Sequence, residues 1–169
     1  MKLSVFGLGY VGAVTSASLS KLGHRVIGVD IDKSKVEAIN QGRSPLKEQG
    51  LEELIYDQVN NGSLYATCDN IEAVSKSDVS IICVGTPSSS KGKIITKYLR
   101  YVCEEIAQAI KKLKKEKYTI IIRSTCPPDV HKELKSLIEN KIKKKFNKKI
   151  NYICHPEFLR EGTSLKDFF

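Results

Sequence analysis

No apolar run in this 169-residue chain exceeds about five residues, far short of the roughly 20 that a membrane-crossing helix needs. That excludes a helical membrane protein. The opening stretch, MKLSVFGLGYVG, is interrupted by glycines and followed by no small-residue cleavage site, so it does not read as a secretory signal. The five cysteines, Cys68, Cys83, Cys103, Cys126 and Cys154, are odd in number and form no Cys-x-x-Cys pair. Neither a disulfide framework nor a zinc site is expected, and a reducing cytoplasm is the expected location. Repeats, low-complexity tracts and linkers are missing as well, which points to one domain of ordinary size.

Acidic residues are outnumbered. Against 28 Lys and Arg stand 19 Asp and Glu, for a net charge of +9. Much of the excess lies in KKLKKEK (111–117) and KIKKKFNKK (141–149). Nucleic acid binders use such runs, but no nucleic-acid motif accompanies these. The favoured reading is that they are solvated C-terminal ends of helices, where lysine suits the dipole, so no nucleic-acid partner is expected.

What is present is a regular alternation of strand and helix. Short, apolar, β-branched segments at 2–6, 25–29, 63–67, 78–84, 118–123 and 150–154 read as buried parallel strands. Helices are expected near 11–22, 32–41, 50–61, 70–76, 97–115 and 128–145. The fifth carries Leu99, Val102, Cys103, Ile106, Ile110 and Leu113 at three- and four-residue spacing, one buried face. The pattern predicts an α/β fold: a doubly wound, Rossmann-like, six-stranded parallel sheet with helices on both faces and strand order 3-2-1-4-5-6. Ligands of such sheets bind beyond the carboxyl ends of the strands. The segments expected there are GLGYVG, Asp30, GTPSSS, RSTCPP and HPEFLREG.

Gly7, Gly9 and Gly12 form Gly-x-Gly-x-x-Gly between the first strand and the first helix. In that setting the first glycine permits a tight turn, the second lets the backbone approach a pyrophosphate, and the third allows close strand–helix packing. The helix N-terminus then faces the anion. A carboxylate at Asp30 would accept hydrogen bonds from the adenosine ribose and repel the 2′-phosphate of NADP. NAD is therefore the expected cofactor, although Lys33 and Lys35 leave room for NADP. Asp32 is the better N-cap for the next helix. Gly85, Thr86 and Pro87 stand where a dinucleotide crosses the sheet, though an ordinary loop would read the same. Cys126 could be a nucleophile. The sequence places no histidine beside it, so a small buried or semi-buried thiol is the favoured reading. Glu157 and His155 could each be a general base, or simply a satisfied hydrogen-bonding group.

Together, FGLGYVGAVTSASLSKLGHRVIGVDID, INQGRSPLKEQGLEEL, SDVSIICVGTPSS, IIRSTCPP and PEFLREGTSLKDF resemble the NAD-binding domain of the UDP-glucose/GDP-mannose 6-dehydrogenase family. They do so in the family's order and over nearly the whole chain, with AVTSASLSKLGH and ICVGTPSS closest to the GDP-mannose type. The resemblance implies an oxidoreductase of polysaccharide biosynthesis that oxidises the primary alcohol of a nucleotide-linked sugar to a carboxylate. Two hydrides pass to two NAD molecules by way of a thiohemiacetal and a thioester on an enzyme cysteine. It implies that the glycine loop with Tyr10 and Val11 holds the pyrophosphate, that Asp30 and Lys35 hold the adenosine ribose, and that Thr86 and Pro87 line the cofactor cleft. Thr125 matches a threonine at the cofactor that binds the catalytic water. Glu157 matches the glutamate that assists that water, and Glu157, Phe158, Leu159 and Arg160 match the segment around the UDP- or GDP-sugar.

The resemblance further implies that the family's catalytic cysteine, its lysine, a long central helix and the nucleotide-binding domain lie beyond residue 169. Residues 1–169 are then an isolated NAD-binding domain, inactive and monomeric alone, of a parent that forms dimers or larger assemblies. A stand-alone NAD sensor without chemistry is the alternative. The chain departs from the family at Gln49 (usually proline), Cys126 (valine), Asp129 (glycine) and His155 (asparagine).

Overall fold

The computed structural model of the protein describes residues 1–90, 92–143 and 149–169. Along the chain run β1 (Lys2–Phe6), α1 (Tyr10–Lys21), β2 (Arg25–Val29), α2 (Lys33–Asn40), α3 (Leu51–Asn60), β3 (Leu64–Thr67) and α4 (Asn70–Lys76). There follow β4 (Val79–Ile82), α5 (Lys97–Lys112), β5 (Tyr118–Ile122), α6 (Pro128–Ile142), β6 (Ile150–Cys154) and α7 (Ser164–Phe168). The six strands make one sheet in the order β3-β2-β1-β4-β5-β6, parallel at every pairing. That is the doubly wound order read from the alternation of elements.

Side chains alternate across the sheet, as a period of two requires. Leu3 and Val5 enter one core with Ala13, Val14 and Ala17 of α1 and Leu51, Leu54 and Ile55 of α3. Phe6 enters the other, with Ile82, Ile120 and the buried face of α5. That face is the predicted one: Leu99, Cys103, Ile106 and Ile110 are buried. Val102 and Leu113 pack against it half-buried. Each fully buried aliphatic side chain contributes about 1.5–3 kcal/mol relative to exposure. Tyr118 fills the lower part of this core. Its hydroxyl lies 2.7 Å from both Ser77 Oγ and Ser80 Oγ, so the polar groups buried there are satisfied.

Register levels the strand ends. Thr67 pairs with Val29, Val29 with Phe6, Phe6 with Ile82, Ile82 with Ile122 and Ile122 with Cys154. The next residues, including Gly7, Asp30, Cys83, Arg123 and His155, therefore emerge on one rim.

Three features depart from the sequence reading. α7, unpredicted, is too short to show a helical period; Leu165 and Phe168 pack it against the α1 side of the sheet. α6 ends at Ile142, where Lys143 takes a left-handed C-cap with φ 55°. The expected continuation to 145, like much of the second lysine run, lies outside the described residues. In the first run Lys115 is structural: its Nζ donates to the carbonyls of Ser75 and Ser77, each at 2.9 Å, closing the C-terminal end of α4. Among the described residues no helix is long and apolar enough to cross a membrane.

Candidate functional site

Sterics build the glycine loop. Gly7 has φ +93°, and a Cβ on it would meet the Cys83 backbone at 3.1 Å. A Cβ on Gly12 would fall 1.6 Å from the Gly7 carbonyl oxygen, closer than any side chain permits. Gly9 is different, because beyond its own chain neighbours nothing lies within 4 Å of where its Cβ would be. Gly9 is also the N-cap of α1 and offers no side-chain cap. The first N–H groups of a helix have no partner within the helix. The loop therefore presents uncapped donors and the positive end of a helix dipole to open space, which fits a pyrophosphate.

Asp30 is tied to this loop. One carboxylate oxygen accepts the Leu8 N–H at 2.6 Å and the other accepts the Asp32 N–H at 2.9 Å. Lys35 Nζ stands 3.8 Å from it. These bonds fix the carboxylate's orientation and leave each oxygen a second lone pair. Asp32 caps α2, as expected, by accepting from Ser34 N–H at 3.0 Å.

A cleft of about 640 Å³ opens over the rim, and Gly7, Gly9, Asp30, Lys35, Thr86 and Pro87 line it. Tyr98 and Tyr101 of α5 close its far side. They lie on the face of α5 opposite its core stripe, where aromatic residues give no site signal in a sequence. Four of the residues predicted at the cofactor do not line the cleft, nor do Glu157, Phe158, Leu159 and Arg160 of the terminal run. Gly12 is buried beneath the loop, and Val11 packs into the α1 core, so neither brings a side chain to it. The Tyr10 side chain turns away, so only its backbone can serve a phosphate. Thr125 is exposed on the neighbouring loop, joined to the cleft by the Thr86 hydroxyl, which donates to the Thr125 carbonyl at 2.7 Å.

The terminal run is held against the same rim by polar contacts. Glu48, which the sequence reading passed over, is their hub. It accepts from Tyr10 Oη at 2.7 Å, Gly162 N–H at 2.8 Å, Ser164 N–H at 2.9 Å and Ser164 Oγ at 2.7 Å. Desolvation opposes its charge, but these donors outweigh it and hold the carboxyl below the ordinary glutamate range. Gln49, at the usual proline position, sits between Glu48 and Gly50, the left-handed N-cap of α3.

Arg160 is clamped by Asp167, with Nη2 to Oδ1 at 2.6 Å, Nε to Oδ2 at 3.1 Å and the Arg160 N–H to Oδ2 at 3.0 Å. Hydrogen bonds from Arg160 hold Asp167 down to about 2. Glu157 accepts the Leu159 N–H at 2.7 Å, and Leu159 packs into the α1 core. Phe158 projects into solvent, 86% exposed. His155 Nδ1 lies 3.0 Å from Arg123 Nη1 and accepts from it, since a guanidinium only donates. The buried Cys83 thiol, which lines the cleft, is pushed up to about 12, first by burial; Arg123 and Glu157 both act on it through their charges.

Cys126 has a histidine beside it after all, with Sγ 3.2 Å from His131 Nε2. A signal was available. Pro127 is the N-cap of α6, so Cys126 is N′ and His131 is N4, the two positions that meet across a helix start. Burial pushes the thiol up to about 11, so it is no ready thiolate. Asp129 falls in the first turn of α6, where a carboxylate suits the dipole.

A family model described as "UDP-glucose/GDP-mannose dehydrogenase family, NAD binding domain" matches residues 1–169. The chain belongs to that family. The domain is 47% identical to the GDP-mannose 6-dehydrogenase of Pseudomonas aeruginosa over 99% of its own length and 38% of that protein's. It is 33% identical to a UDP-glucose 6-dehydrogenase of Bacillus subtilis, covering 37% of it. Among solved structures it superposes on a ternary complex of the Pseudomonas aeruginosa GDP-mannose dehydrogenase with TM-score 0.96 and 46% identity, over 99% of this chain and 38% of that one. On a UDP-glucose dehydrogenase from Pyrobaculum islandicum the TM-score is 0.88 at 34% identity, over 99% and 38%. The domain thus spans under two-fifths of these relatives.

Proposed function

We propose that the domain supplies the NAD-binding half, and part of the acid–base half, of a nucleotide-sugar 6-dehydrogenase site. The observation that carries this reading is the glycine loop. Gly7 and Gly12 are required by the protein's own backbone, whereas Gly9 is required by no protein atom and faces open space. Open space over the uncapped N–H groups at the start of α1 is what a phosphate requires. NAD, when bound, accepts hydride. Uncapped N–H groups at the start of α1 hold its pyrophosphate, and Asp30, oriented by Leu8 and Asp32, receives the ribose hydroxyls. The negative charge of Asp30 disfavours a 2′-phosphate.

Thr125 and Glu157, on adjacent segments of the rim, position and deprotonate a water. Phe158, Leu159 and Arg160 border the sugar nucleotide, of the UDP- or GDP-linked class. The covalent oxidation needs a thiolate activated by a neighbouring base or cation. Cys83, which lines the cleft, and Cys126, which does not, are both held protonated by burial. Residues 1–169 alone, a monomer acting in the cytoplasm, therefore bind NAD without turning over nucleotide sugar.

Calorimetry tests the reading. NAD should bind more tightly than NADP, and equal or tighter NADP binding overturns the role of Asp30. NADH absorbance with UDP-glucose and GDP-mannose should stay flat for this chain alone. Robust turnover would show that a cysteine here serves as the nucleophile.

A further inference from the structure

A second cluster gathers away from the cleft, where β5 leads into α6 and β6 ends. Cys126 Sγ and Cys154 Sγ each lie 3.2 Å from the same atom, His131 Nε2. His131 Nδ1 lies 2.8 Å from Tyr152 Oη. Both cysteines are free thiols, Cys154 exposed and Cys126 half-buried. Burial holds His131 below its ordinary pKa, so at neutral pH the ring carries one proton. With Nδ1–H donating to the Tyr152 hydroxyl oxygen, Nε2 is the free acceptor that either neighbouring thiol proton can reach. Burial also keeps that phenol protonated, by raising it far above its usual value. Among the described residues no group of three or more His, Cys, Asp or Glu side chains could hold a metal ion. Thiol chemistry is what the arrangement offers.

We propose that Cys126 and Cys154 are a redox pair, served by His131 as base, that closes into a disulfide when the protein meets a peroxide. His131 Nε2 takes the proton of Cys154. The thiolate attacks one peroxide oxygen, the O–O bond breaks, and a sulfenic acid forms; the departing hydroxide takes the proton from His131 and leaves as water. Cys126, deprotonated by the same nitrogen, attacks the Cys154 sulfur and forms the S–S bond. It expels the sulfenic hydroxide, which takes the proton back from His131 and leaves as a second water. The two thiols lose two electrons in all, and the peroxide gains them.

Cys154 reacts first because it is exposed. Cys126, less accessible and raised by burial, is the resolving partner. Closure would reach the cofactor site from two sides. Cys126 follows Thr125, whose carbonyl holds Thr86 of the cleft, and Cys154 precedes His155, which holds Arg123. The pair does not depend on the NAD assignment.

The test treats residues 1–169 with hydrogen peroxide, blocks remaining thiols with N-ethylmaleimide and maps peptides by mass spectrometry. The expected product is a Cys126–Cys154 cross-linked peptide that dithiothreitol reverses, with Cys83 and Cys103 still reduced. His131→Gln, its fold checked by circular dichroism, should slow closure on the order of 10²-fold, the lower end of what a positioned base supplies. Accumulation of sulfinic or sulfonic acid at Cys154 without the cross-link, or disulfides only between molecules through exposed Cys68, would overturn the pair. An unchanged rate in His131→Gln would overturn the role of the histidine. The cross-link in the unaltered protein decides the first point even if that variant does not fold.

Discussion

The glycine loop and the terminal run both lie at the carboxyl rim of the sheet, but they are held there by different physics. The loop spans six consecutive residues fixed by backbone sterics. Gly7 needs its positive φ, and Gly12 admits no Cβ against the Gly7 carbonyl. The terminal run, from His155 to Phe169, is held by hydrogen bonds to distant residues: Glu48 to Gly162 and Ser164, Arg123 to His155. Its own Arg160–Asp167 clamp folds it on itself. Covalent geometry cannot be titrated or competed away, whereas polar contacts at a half-exposed surface can. The glycine loop is thus fixed by its own backbone, whereas the run bearing Glu157 rests largely on polar contacts that solvent can compete for.

The largest effect should come from Gly12→Ala. Its methyl has no room against backbone, so we expect a loss of about 3–5 kcal/mol in chemical denaturation, if the variant folds. Gly9→Ala is the counter-test: stability within about 0.5 kcal/mol of the parent, with NAD affinity reduced. A large loss of stability in Gly9→Ala would break the contrast between the two glycines.

Asp30→Ala should weaken NAD binding by roughly 1–3 kcal/mol in calorimetry, as for hydrogen bonds to a charged group. Glu48→Gln keeps the shape but removes the charge that gathers Tyr10, Gly162 and Ser164. Amide exchange at Gly162 and Ser164 should quicken by about 1–2 kcal/mol of lost protection, while sheet amides stay unchanged. If the sheet amides quicken equally, the terminal run belongs to the rigid body and the comparison fails.

The smallest effect is acid release of that run. Asp167 is depressed from 3.8 to about 2 by Arg160, so its contribution is fully present above its unfolded value and lost as pH falls through about 2. Between those values NMR should show α7 resonances losing dispersion before those of the sheet, and Asp167→Asn should remove this pH dependence.

The sequence by itself determined the sheet order, the rim and the glycine loop. Strand periods, helix periods and backbone clashes are local, and a parallel sheet has few ways to connect them. Asp30 and the Asp32 cap were legible for the same reason, since each acts within two residues or at a strand end. Only the tertiary structure decided the rest. Glu48 looks like any loop carboxylate until the chain brings Gly162 and Ser164 to it across 114 and 116 residues. α7 has too few turns to show a period and exists by packing on α1. The sharing of His131 by two cysteines needs β6 laid beside β5. A local pattern is written in neighbouring residues, whereas a contact between distant ones is specified only once the core has placed both partners.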